Sequence, residues 1–125
     1  MAAWVLAIDF GTSSSCAATW VDGRAQELRV GGDVRVPSTV VLDEAGRLVG
    51  GAEAENQAAL LPDRAERTPK RQLGTAAPLL LGGQPVAVED AAAAVLRVIY
   101  EAAWAERGTP PTRVVLTHPA RWSQP

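Results

Sequence analysis

Apolar and polar positions divide residues 1–50 into short extended runs separated by turn chemistry. Trp4 to Phe10 is an apolar run of strand length, and Cys16 to Val21 reads as a second strand. Asp22-Gly23 is a hairpin signal, after which Ala25 to Val30 alternates as a third strand. Gly31-Gly32-Asp33 turns the chain again, and Pro37 to Leu42 predicts a strand entered through a proline. Asp43 to Gly46 then turns it into Leu48-Val49-Gly50. These runs together predict an antiparallel meander.

The period changes after Gly50. Gly51 to Leu61 is rich in helix formers and is closed by Pro62. Pro69 suits the first turn of a short helix over Lys70-Arg71-Gln72-Leu73. Gly74 to Pro85 is loop-like, with Gly82-Gly83 a hairpin turn before Val86-Ala87-Val88. Glu89 to Arg107 carries the clearest helical stripe: Ala91, Val95, Val98, Ile99 and Ala102 fall on one face. Glu89 and Asp90 suit its N-terminus, and Arg107-Gly108 its end. Leu96, Ala103 and Trp104 widen the apolar arc, which predicts a second surface covering this helix. Pro110-Pro111 stops it and Arg113 to Thr117 resumes as a buried-type strand. Strands, then a long helix, then a strand predict a mixed α/β sheet. In it the helix crosses over to set Val114–Thr117 beside an earlier strand.

Composition narrows the class. A chain of 125 residues, 47% hydrophobic and 21% charged, has the balance of a globular domain. A net charge of −2 gives no electrostatic case for nucleic acid or an anionic membrane. No apolar run approaches the roughly 20 residues that span a bilayer. The single cysteine, Cys16, reads as a packed thiol and suits a reducing compartment, so a cytoplasmic setting is expected. Eleven of the twelve basic residues are arginine, which singles out Lys70. The tryptophans read as core.

The residues between the first two strands need another account. Asp9-Phe10-Gly11-Thr12-Ser13-Ser14-Ser15 is longer and richer in hydroxyls than a plain hairpin turn. Backbone N–H groups in such a turn form an anion-binding concavity, and Thr and Ser hydroxyls add donors. One acid at a strand end can hold a water-rich Mg²⁺. The same residues fit a capped turn with solvated serines, and GxxxxGK[ST] is absent.

The stretch AIDFGTSSSCAA resembles the first phosphate motif of the actin, heat-shock-chaperone and sugar-kinase ATPases. VPSTVVLDEAGRLVGGAEA, TPKRQLG and RVVLTHPARWSQP resemble, in order and spacing, segments of the heat-shock 70 (DnaK-like) family across nearly all 125 residues. The resemblance implies the N-terminal portion of a ribonuclease H-like, actin-like ATPase fold, a mixed sheet with a β-meander plus helices. It implies that residues 1–125 are the first lobe of a nucleotide-binding domain, without the second lobe or a peptide-binding domain.

Roles follow from the same resemblance. Asp9 would hold Mg²⁺ through water, and Gly11, Thr12, Ser13 and Ser14 would surround the β- and γ-phosphates of ATP. Lys70 would be catalytic, reaching the γ-phosphate and the attacking water. Pro119 would relay nucleotide state to a peptide-binding domain. The partners implied are ATP and ADP and, in the longer protein, unfolded peptide and co-chaperones. Ser13 and Ser14 stand where Thr and Asn are usual, His118 where a small aliphatic residue is usual, and Arg121 where an aromatic is usual. A carbohydrate kinase of the same superfamily and a non-catalytic actin-like interaction module are the alternatives. With half of a nucleotide site, these residues alone are expected to bind Mg·ATP at millimolar strength or not at all.

Overall fold

Alternation in Trp4–Asp9 (β1) sends Trp4, Leu6 and Ile8 to one side of a sheet, where all three are buried. The computed structural model describes residues 3–117. β1 pairs antiparallel with Ser14–Val21 (β2), which pairs antiparallel with Arg24–Glu27 (β3). Asp22 and Gly23 close that second hairpin with φ of 51° and 76°, the two left-handed residues that such a turn requires. Val36–Pro37 (β4) returns to the start of β2, matching Ser14 with Pro37 and Ser15 with Val36.

The predicted strand Pro37–Leu42 is two strands. Ser38 and Thr39 interrupt it, and the chain leaves the first sheet to form Val40–Leu42 (β5). β5 is the centre of a three-stranded sheet with Leu48–Gly50 (β6) and Ala65–Glu66 (β7). The predicted meander is therefore split between two sheets, and β7 was not anticipated. Between β6 and β7 lies Ala52–Ala58 (α1), shorter than Gly51–Leu61, and Pro62 opens a 3-10 turn at Pro62–Arg64. A second 3-10 turn, Pro69–Gln72, occupies the predicted short helix. Leu79–Leu81 (β8) and Gln84–Val86 (β9) form a hairpin across Gly82-Gly83, within a stretch that reads as loop.

Val88–Arg107 (α2) ties these parts together. Near its N-terminus Val88 and Ala91 pack on Val40, Leu42, Leu79, Leu81 and Val86. Its middle, at Ala92 and Val95, packs on Phe10. Its C-terminal half, at Ile99 and Ala103, covers Trp4, Leu6, Ile8, Leu28 and Val36. Gly50 lies against the helix backbone so closely that a Cβ there would sit 2.7 Å from the Ala94 carbonyl oxygen. The widened arc is partly used, since Leu96 packs on the sheet whereas Trp104 stays 43% exposed with Tyr100 edge-on to it.

After α2 the chain enters Arg113–Thr117 (β10), which lies beside an earlier strand as predicted; that strand is β1, and the pairing is parallel. Parallel neighbours need a crossover, and α2 supplies it. The Thr112 N–H and hydroxyl both donate to the Trp4 carbonyl oxygen, at 2.9 Å each, and set the register. Two expectations fail here. β10 is not buried, and of the described tryptophans only Trp4 is core, Trp20 being 51% exposed. Cys16 is half-buried and free. Among the described residues no helix is long and apolar enough to cross a membrane.

Candidate functional site

The turn between β1 and β2 is held from behind by a ring of three hydrogen bonds. The Gly11 N–H donates to Ser15 Oγ at 3.2 Å, and Ser38 Oγ donates to the Gly11 carbonyl oxygen at 2.9 Å. The two hydroxyls lie 2.9 Å apart. Each hydroxyl has one proton, so Ser38 giving its own to Gly11 leaves Ser15 as the donor between them. Ser15 and Ser38 are almost wholly buried, 2% and 0% exposed, so the ring sits in a medium where unpaired polar atoms are costly. The Ser38 N–H adds a bond to the Ser13 carbonyl oxygen at 3.0 Å.

Gly11 is required by space. A Cβ built there would lie 2.0 Å from the Ser14 carbonyl oxygen, so the turn closes on itself only with glycine. Since the Gly11 N–H is engaged, the amides of Thr12 and Ser13 are those in the turn without a hydrogen-bond partner among the described residues. Ser14 and Ser15 already belong to β2, so the hydroxyl run is half turn and half strand. Asp9 ends β1 exposed, level with Cys16 on one side and Thr117 on the other.

Lys70 arrives from 60 residues away. Its Nζ donates to the Phe10 carbonyl oxygen at 2.7 Å, at the entrance to the turn. The packing explains how. Phe10 is buried against Ala92 and Val95 of α2, and Leu73 packs on the same cluster just after the Pro69–Gln72 turn. One helix face thus anchors both the hydroxyl turn and the segment that carries the lysine. Pro69 is buried beside it.

A groove of about 310 Å³ opens on the Ser14 side, lined by Ser13, Ser14, Arg35, Thr39, Glu55 and Arg67 among others. Glu55 accepts from Thr39 Oγ1 on one carboxylate oxygen and from Arg67 Nε, at 3.0 Å, on the other. The Thr39 hydrogen bond first, then the Arg67 hydrogen bond and charge, hold the Glu55 carboxyl below its ordinary pKa, with burial opposing. Arg35 Nη1 donates to Ser14 Oγ at 3.4 Å.

The structure therefore brings Gly11, Thr12, Ser13, Ser14 and Lys70 to one turn, with Asp9 at the strand end that enters it. Pro119, with His118 and Arg121, lies outside the described residues. From sequence Ser15 stood out only as the end of the hydroxyl run, and Ser38, Thr39, Arg35 and Glu55 were given no role. The available signal was Ser38-Thr39 standing where an uninterrupted strand would carry apolar side chains.

With that geometry in view, the chain is 33% identical over 122 residues to chaperone protein DnaK of Picrophilus torridus, covering 93% of this chain and 20% of that protein. It is 32% identical over 122 residues to chaperone protein DnaK of Cenarchaeum symbiosum, covering 93% of this chain and 18% of that one. It thus spans about a fifth of the length of these curated relatives. No protein-family model matches the chain. These likenesses support a relationship to heat-shock 70 chaperones, and the mixed α/β architecture is compatible with an N-terminal portion of one.

Proposed function

We propose that this chain forms the phosphate-gripping part of the first lobe of a heat-shock 70-like ATPase with the actin-like fold. One observation carries the reading: the Lys70 ammonium sits 2.7 Å from the Phe10 carbonyl oxygen, at the mouth of the glycine and hydroxyl turn. A cation beside a turn with unengaged amides is suited to a polyphosphate, because phosphoryl transfer is mostly positioning and charge stabilisation.

In this reading Thr12, Ser13 and Ser14 donate to the β- and γ-phosphates of ATP, and Gly11 lets the turn close tightly enough to present them. Lys70 is the catalytic cation, facing the γ-phosphate and the water that attacks it. For Mg²⁺ the donor set is a single exposed carboxylate, Asp9, which fits an ion that keeps most of its waters. No group of three or more His, Cys, Asp or Glu side chains among the described residues could hold a metal alone. The ion, when bound, would neutralise charge on the phosphates. In the longer protein, in the cytoplasm, hydrolysis would be coupled through Pro119 to binding of unfolded peptide, with co-chaperones as further partners.

Titration calorimetry of Mg·ATP into the full-length protein, wild type beside Lys70→Ala, tests this, with hydrolysis measured in parallel. Both proteins are expected to bind, and the variant to hydrolyse about a hundred-fold more slowly or worse. A wild-type protein that takes up no Mg·ATP would overturn the reading and leave a scaffold of the same fold.

A further inference from the structure

The groove beside Ser14 has a charge that the turn itself does not explain. Its lining holds two guanidinium groups, Arg35 and Arg67, against one carboxylate, Glu55. Arg67 is paired with that carboxylate, and Thr39 takes the other oxygen. Glu55 has no oxygen left free of a donor. Arg35 has no acidic partner among the described residues, and its one hydrogen bond there is to the neutral Ser14 hydroxyl at 3.4 Å. The groove therefore keeps an uncompensated positive charge at the end of the turn away from Lys70.

Arg35 is placed there by the fold. It directly precedes β4, whose two residues pair with Ser14 and Ser15, so the ladder that fixes the C-terminal side of the turn also fixes the arginine's backbone. Lys70 reaches the turn at Phe10, on its N-terminal side. Two cations carried by different parts of the chain thus flank the same four residues. An arginine suits the second position because its permanent positive charge strengthens hydrogen bonds to phosphate oxygens.

We propose that Arg35 is a further phosphate-binding residue, pairing with the polyphosphate chain of the nucleotide held in the Gly11–Ser14 turn. This rests on the reading of that turn as a phosphate site, and adds to it a second cation on the opposite flank. Arg35 is exposed, so the rearrangement from Ser14 Oγ to a phosphate oxygen costs little packing.

The test compares Arg35→Gln and Arg35→Lys with wild type in the full-length protein, by calorimetric titration of Mg·ATP. Gln keeps a donor for Ser14 without charge, and Lys keeps the charge. Charge pairing predicts about ten-fold weaker binding for Gln and a loss of less than about three-fold for Lys. It also predicts a shallower fall of affinity with salt for the Gln variant. Gln binding as tightly as wild type, or Gln and Lys losing equally, would overturn the role of Arg35 while leaving the turn as the phosphate site. Wild-type protein with no affinity for Mg·ATP would overturn both. Arg24→Ala, which removes the same charge from β3, is the control and is expected to bind as wild type.

Discussion

One face of the five-stranded sheet holds two adjacent columns with opposite fates. The parallel register sets Val114 beside Leu6 and Leu116 beside Ile8. Leu6 and Ile8 are 0% and 2% exposed, whereas Val114 and Leu116 are 43% and 50% exposed. The residue types are equivalent and both pairs point the same way. The difference is the helix: Ile99 and Ala103 of α2 lie over the β1 column and do not extend over β10. The hydroxyl turn at the end of β1 belongs with the first column, because it is closed by its own hydrogen bonds and by Phe10 on α2. Direction along a strand thus decides which side chains can be buried, and only the neighbouring layer decides which are.

The comparison breaks most visibly at its two centres. Ile8→Ala is expected to cost about 3 kcal/mol, from lost burial and the cavity left behind. Leu116→Ala, half in water already, is expected to cost less than about 1 kcal/mol. Urea unfolding of the two variants measures both. Similar losses would mean that the β10 column is covered in solution after all.

Ser38→Ala sharpens the comparison from the polar side. It removes the donor to the Gly11 carbonyl oxygen and the partner of Ser15 Oγ, both in a site that excludes water. A cost of about 2 kcal/mol is expected, the range for a buried group left unsatisfied. The same change at the exposed Ser13 is expected to leave stability within about 0.5 kcal/mol of wild type. An unaltered unfolding midpoint for Ser38→Ala would show that water enters behind the turn and that the ring is not closed.

Much of the fold was legible in the sequence because its signals are local. The Trp4–Asp9 run, the Asp22-Gly23 turn and the stripe of α2 each depend on residues within a turn or two of one another. The placement of β10 beside an earlier strand followed from the order of elements. The break at Ser38-Thr39 was not legible, since the partners that bury those hydroxyls are Ser15, 23 residues earlier, and Glu55, 16 residues later. Nor was the exposure of Trp20 and Leu116, because alternation reports direction and is silent on the cover above it. The Lys70 contact with Phe10 is of the same kind. The residues marked both ends as unusual, and family resemblance assigned both to one phosphate site. The packing of Phe10 and Leu73 on α2 supplies the physical reason that they meet.

The smallest expected effect lies where the polar network reaches the surface. Glu55 has its pKa lowered, chiefly by the buried Thr39 hydroxyl and then by Arg67. A carboxyl whose folded pKa is depressed adds stability that is fully present above its unfolded pKa, about 4.3, and is lost as pH falls through the folded value. Glu55→Gln keeps an acceptor for Thr39 and removes the charge, so the variant should lose less stability than wild type as pH falls from about 5 to about 3. The paired Arg67 and Glu55 side chains are 56% and 40% exposed, so solvent screens the ion pair. The gap between the two proteins at neutral pH should therefore stay below about 1 kcal/mol, and should narrow in high salt. Thermal unfolding midpoints followed against pH read this directly. Parallel curves for wild type and variant would remove Glu55 from the acid limb, and would mean that Thr39 is held as well by a neutral amide as by a carboxylate.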